Sequence, residues 1–106
     1  MSEALVILCT CPDHAIASGL ARSLVEQRLA ACVNIVPAIR SIYSWQGKLC
    51  DDDEVLLVIK TLQSRYPALE DWLREHHPYD VPELIALRAE AVSAPYLAWL
   101  ADAVDS

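Results

Sequence analysis

Glycine is nearly absent from this chain, with Gly19 and Gly47 the only two among 106 residues. A glycine-rich backbone loop around phosphate is therefore excluded, and P-loop nucleotide chemistry with it. Basic residues are also few: eight Lys and Arg stand against 15 Asp and Glu, for a formal net charge of −7. They are scattered along the chain, which argues against nucleic acid and anionic lipid, since both need a clustered basic face. No apolar run approaches the ~20 residues of a membrane-spanning helix. No C-x-x-C pair occurs, which weakens the zinc-ribbon and thioredoxin readings. G-x-S-x-G and H-E-x-x-H are missing too. His14 is isolated, and Ser18 and Ser23 fall on a predicted helix with no evident base. No credible nucleophile remains, so the chain is expected not to be an enzyme. The first residues carry no basic n-region, and the apolar run from Ala4 to Cys9 is too short for a signal-peptide core. This predicts a cytoplasmic protein whose four cysteines (Cys9, Cys11, Cys32, Cys50) stay reduced. With no repeats and no linker, residues 1–106 read as a single domain.

What the chain does have is hydrophobic residues, at 55 % more than a soluble domain of this size usually carries. Ala4 to Cys9 reads as a strand buried on both faces. Pro12 and Asp13 open a helix, with Asp13 as cap and Ile16, Ala17, Leu20, Ala21, Leu24 and Val25 along one stripe. From about Ala31 to Thr61 come two long strands joined at Trp45-Gln46-Gly47-Lys48. Val33, Ile35, Pro37, Ile39, Ser41, Tyr43 and Trp45 point one way if the register is unbroken. Pro37 cannot donate to a ladder, so a bulge or a sheet edge is expected there. Across the turn, a simple register sets Arg40 near Asp53. A second helix covers about Ser64 to His76, with Leu69, Trp72 and Leu73 inward. Glu83 to Arg88 makes a fourth strand, and Ser93-Ala94-Pro95 starts a last helix carrying Tyr96, Leu97 and Leu100. Trp72 and Trp99 read as core, and Trp45 as an interface anchor.

The order β-α-β-β-α-β, then α, is the ferredoxin-like pattern of the α+β class, with a long β-hairpin and an extra C-terminal helix. Two helices cover one face of its sheet. The other face would normally be polar, yet two strands here are apolar throughout. The hairpin arm, ~15 residues at ~3.3 Å each, would reach ~50 Å from a domain only ~33 Å across. Its tip keeps Ile39, Ile42, Tyr43, Trp45 and Leu49. A bare apolar arm invites aggregation, so the chain reads as a subunit that completes its core with copies of itself.

Candidate chemistry gathers in His76-His77-Pro78-Tyr79-Asp80-Val81-Pro82-Glu83. Pro78 drives His77 out of helical geometry, so the helix should end there. The histidine pair then lies where open carbonyls attract cations. The end of this helix can approach the end of the first strand, which makes Cys9 a candidate third ligand. A thiolate with imidazoles suits copper or zinc. Cys11 could add a second sulfur. The bland alternatives are that the histidines only finish a helix and that Cys9 only fills space. The acidic run from Asp51 to Glu54 reads as a solvated edge that blocks strand pairing.

Several stretches together carry a resemblance to a known family: Cys9-Thr10-Cys11-Pro12-Asp13, Leu29 to Ile35, Ser41-Ile42-Tyr43-Ser44-Trp45-Gln46-Gly47-Lys48, Ile59-Lys60-Thr61, His76 to Glu83, and Tyr96 to Leu100. Across nearly its whole length the chain resembles the CutA family of divalent-cation tolerance proteins. The resemblance implies a cytoplasmic homotrimer of ferredoxin-like subunits, similar in fold to PII signalling proteins. It also implies a link to tolerance of copper and other divalent metal ions, with no settled catalytic activity. The copper ligands of some members of the family fall here on Cys9, His76 and His77, with Cys11 and His14 as further candidates. A PII-like small-ligand or protein-interaction module is the alternative, with Tyr79, Glu83, Trp45 and Lys60 as candidate lining of clefts between subunits. A hydrolase similar to acylphosphatase ranks last, because Cys11-Pro12-Asp13-His14 offers an acid where that chemistry needs an arginine.

Overall fold

A computed structural model describes residues 3–105. It is built as β1 (Ala4–Cys11), α1 (His14–Glu26), β2 (Cys32–Trp45), β3 (Lys48–Leu62), a 3₁₀ turn (Gln63–Arg65), α2 (Tyr66–His76), β4 (Ile85–Arg88) and α3 (Ala94–Asp105). The strands form one antiparallel sheet in the order β2-β3-β1-β4. Local chemistry sets the boundaries. The Asp13 carboxylate accepts the Ile16 amide at 2.8 Å and caps α1. Pro67 lies in the first turn of α2. His77 is extended, with ψ 139°, as a residue before proline must be. At the hairpin turn Gln46 and Gly47 both have positive φ, 49° and 79°, the conformation of a type I′ turn.

Strand periodicity divides the side chains between two layers. Leu5, Ile7, Cys9 and Cys11 of β1 and Val55, Leu57 and Ile59 of β3 face α1 and α2, where they pack with Ala17, Leu20, Leu24, Leu69 and Leu73. The opposite face carries Val6, Leu8, Leu56, Val58, Ile85 and Leu87, which are paired across the ladders. Helix α3 covers only one end of this open face, through Ala4, Ala31, Leu62, Leu100 and Val104. Arg65 holds it there by donating from its guanidinium to the Val104 carbonyl at 2.9 and 2.5 Å. Ile85 and Leu87 remain about half exposed, at 50 % and 51 %. The final helix therefore leaves most of that face open.

Three details correct the sequence reading. Val36 pairs with Leu56 and Ile39 with Glu54, so Pro37 and Ala38 lie opposite one residue in a bulge. Side-chain parity inverts there. Val33 and Ile35, opposite Ile59 and Leu57, lie on the helix side. Ile39, Ser41 and Tyr43, opposite Glu54, Asp52 and Cys50, lie on the open side, so these positions do not share one face. The arm is also shorter than expected: the molecule's longest axis is 44 Å, and β3 from Val55 to Leu62 belongs to the body of the sheet. Trp99 is 49 % exposed rather than core, with its ring tilted against Tyr96 at 5.5 Å. Arg40 does pair with Asp53 along the ladder, but its guanidinium reaches diagonally to Asp51, at 2.6 and 2.5 Å.

Candidate metal centre

Cys9 and Cys11 alternate with Thr10 on β1, so both thiols point to the helix-covered side of the sheet. Both are fully buried. Helix α2 ends above them, and the extended backbone of His77 turns its imidazole down toward the strand. Cys9, Cys11 and His77 present their sulfurs and a ring nitrogen all within 4.8 Å of one another. The His77 Nε2 lies 4.0 Å from the Cys11 sulfur.

Two backbone bonds fix the His77 ring. Its Nε2–H donates to the Thr10 carbonyl at 2.8 Å, and its Nδ1 accepts the Tyr79 amide at 3.1 Å. Together they assign the Nε2–H tautomer to the neutral ring. The thiols divide in acidity. Cys9 is pushed up, first by its hydrogen bond to Cys11 and then by burial. Cys11 is drawn down to about 6, chiefly by that same bond, which outweighs burial with help from His77. For His77, burial works against the charged form, but the Cys11 and Thr10 contacts outweigh it and the pKa is raised. Cys11 is thus the sulfur that ionises first, beside an imidazole that supports the charge.

Of the residues expected at the site, Cys9 and His77 meet here. His76 does not: its Nδ1–H donates to the Trp72 carbonyl at 2.8 Å, and its exposed ring stacks on Trp72 at 4.3 Å. His14 is exposed at the start of α1. Cys11 enters fully, and the one-residue spacing that puts two thiols on one strand face was the sequence signal for it. The donor set fits a soft or borderline ion. Metal–sulfur and metal–nitrogen bonds of ~2.3 and ~2.0 Å in trigonal or tetrahedral geometry put the donors of one ion ~3.5–4.0 Å apart, so donors that lie within 4.8 Å of one another would close by up to ~1 Å around an ion. Nε2 can serve as a ligand only by giving up its proton and the Thr10 carbonyl, and a proton moved to Nδ1 would displace the Tyr79 amide as well.

On the open face of the sheet, the hairpin and the 78–83 segment enclose a cavity of about 800 Å³. Tyr79, Glu83 and Trp45 line it, whereas Lys60 does not. The Tyr79 hydroxyl donates to Glu54 at 2.6 Å and that of Tyr43 to Asp52 at 2.5 Å.

Fold and site together define a small α+β protein with a buried thiol–imidazole cluster suited to metal ions. Residues 5–103 match the model of the CutA1 divalent ion tolerance protein family. The chain belongs to that family. It is 52 % identical to human Protein CutA over 97 residues, which cover 92 % of this chain and 54 % of that protein. It is 49 % identical to the divalent-cation tolerance protein CutA of Pectobacterium atrosepticum over 100 residues, 94 % of this chain and 91 % of the relative. The chain thus spans about half the length of the human relative and nearly all of the bacterial one. Among solved structures, CutA1 from Oryza sativa superposes with a TM-score of 0.95 at 42 % identity, covering 99 % of this chain and 97 % of that one. The Cut A1 protein of Thermus thermophilus gives 0.89 at 46 % identity, covering 92 % and 94 %.

Proposed function

We propose that this chain is a cytoplasmic, homotrimeric protein of ferredoxin-like topology that acts in divalent-cation tolerance by binding metal ions, copper among them, rather than by catalysis. The observation that carries the reading is the convergence of Cys9, Cys11 and His77 from two separate segments into one buried donor set. Relatives of known name are called divalent-cation tolerance proteins, which supports the direction of the reading. When bound, the ion would be held by the two sulfurs and, once its proton and the Thr10 contact are given up, by Nε2. Cys11 supplies the first thiolate, and burial keeps competing water away. The open sheet face supports assembly. Its apolar residues, together with Ile42 at 63 % and Leu49 at 80 % exposure on the arm, leave a lone subunit with more wet apolar surface than a soluble monomer tolerates. The four free cysteines are consistent with a reducing compartment.

The test is competition titration of the purified chain with copper and zinc against chromophoric chelators. One ion per chain is expected. Cys9→Ser, Cys11→Ser and His77→Ala should each weaken binding by at least about tenfold, the usual effect of disturbing a metal's ligand set, whereas His76→Ala should leave it unchanged. Undiminished affinity in the triple variant would refute the assignment.

A further inference from the structure

Two short segments hold four soft or borderline donors, Cys9, Cys11, His76 and His77. Together they would make the closed two-cysteine, two-histidine set of a structural zinc ion. The fold divides them. His76 is exposed, bonds back to the Trp72 carbonyl and stacks on the Trp72 ring, while Cys9, Cys11 and His77 converge in the interior. Both thiols are fully buried and His77 is only 6 % exposed. The cross-strand partners of Cys9 and Cys11 are Leu57 and Val55, themselves buried. Among the described residues no carboxylate joins the cluster, and Glu54, a buried acid of β3, is engaged by the Tyr79 hydroxyl. Every buried side-chain nitrogen or oxygen among the described residues already has a hydrogen-bond partner, so none is left over to hold a water beside an ion. Both thiols lie on the helix side of the sheet, opposite the face given to neighbouring copies.

Resting on the metal-binding reading above, we infer that this centre selects a monovalent, thiophilic ion of low coordination number, cuprous copper, and that Cys11 sets the preference. Zinc in a closed site takes four ligands, and with three protein ligands it keeps a water in the fourth place. Cupric copper calls for a tetragonal set of nitrogens and oxygens. Two sulfurs and one imidazole, sealed among aliphatic side chains, meet neither need. Cuprous copper prefers thiolates and is satisfied by two or three ligands. His77 can join only by giving up its bonds to Thr10 and Tyr79. An ion content with two sulfurs is held before that exchange as well as after it. Each sulfur that binds releases its thiol proton to solvent, and the copper keeps the oxidation state in which it arrives.

The test uses the purified full-length chain under anaerobic conditions. Cuprous ion is offered as its bicinchoninate complex, and zinc in competition with a pyridylazo chelator. One cuprous ion per chain should transfer, and zinc should bind at least about a thousandfold more weakly. X-ray absorption at the copper edge should show a monovalent ion with two sulfurs, at most one nitrogen and no oxygen. Cys11→Ser should weaken cuprous binding by at least about a hundredfold and zinc binding by only about tenfold. His76→Ala should alter neither affinity nor coordination. A four-coordinate ion, an oxygen ligand, or zinc binding as tight as cuprous binding would overturn the selectivity and leave metal binding standing, and these measurements need only the wild-type chain. Equal losses for the two ions in a folded Cys11→Ser protein would overturn it as well. Binding of neither ion would overturn the metal-binding reading together with it.

Discussion

Leu87→Asp tests whether the open sheet face is a subunit interface. Leu87 sits on β4 opposite Val6, half exposed at 51 %, and has no part in the core under α1 and α2. Complete burial of a leucine is worth ~1.5–3 kcal/mol, so covering the exposed half in an assembly contributes about 1 kcal/mol per copy. In a trimer the change enters three times. Losing ~3 kcal/mol of burial alone weakens assembly by roughly a hundredfold. A carboxylate facing Val6 and Ile85 adds a desolvation cost of several kcal/mol, unless it takes up a proton. Light scattering coupled to size exclusion reads the result. The wild type should run at about three times the chain mass of 11.7 kDa, and the variant near one chain mass at micromolar concentration, with its helical circular dichroism retained. A wild-type monomer, or a variant that stays trimeric with wild-type melting, would refute the reasoning.

Gly47→Ala should lower the unfolding free energy by about 1 kcal/mol, because φ 79° is unfavourable for any residue with a Cβ. The added methyl would meet nothing within 4 Å, so an effect well above 2 kcal/mol in a urea titration would show a cost beyond the backbone. Stability should fall as pH rises above about 9. Cys9, Tyr79 and Tyr43, the last raised to about 12, hold their protons in the fold where the unfolded chain has released them. The folded state then binds more protons, and its advantage, complete at lower pH, fades through this range. A urea midpoint that stays flat between about pH 9 and 11 would contradict those assignments.

Much of the architecture was legible because periodicity is strong where one layer covers another. The β1 run, the α1 stripe and the helix stop before Pro78 follow from residue chemistry alone. The arm was harder. Pro37 signalled a bulge, but a bulge moves every later side chain to the other face, and the sequence does not say on which residue the extra position falls. Trp99 misled because hydrophobicity at helical spacing does not reveal how little sheet α3 has beneath it. At the metal centre, Cys9 and His77 were accessible from the helix end and the strand end. The split between adjacent His76 and His77 was not. It depends on the last helical turn directing one ring back over Trp72, while the extended backbone of the next residue sends the other toward Thr10.

The irregularity at Pro37 and Ala38 also governs how this ribbon can tolerate change in length. Two residues added or removed together near the turn would leave its aromatic side unchanged. Loss of Ala38 alone would restore an uninterrupted pleat and turn the outer half over. Tyr43 and Trp45 would then leave the open side for the opposite surface, and Arg40 and Ser44 would turn toward it. The orientation of the whole arm thus rests on a single extra residue at its base.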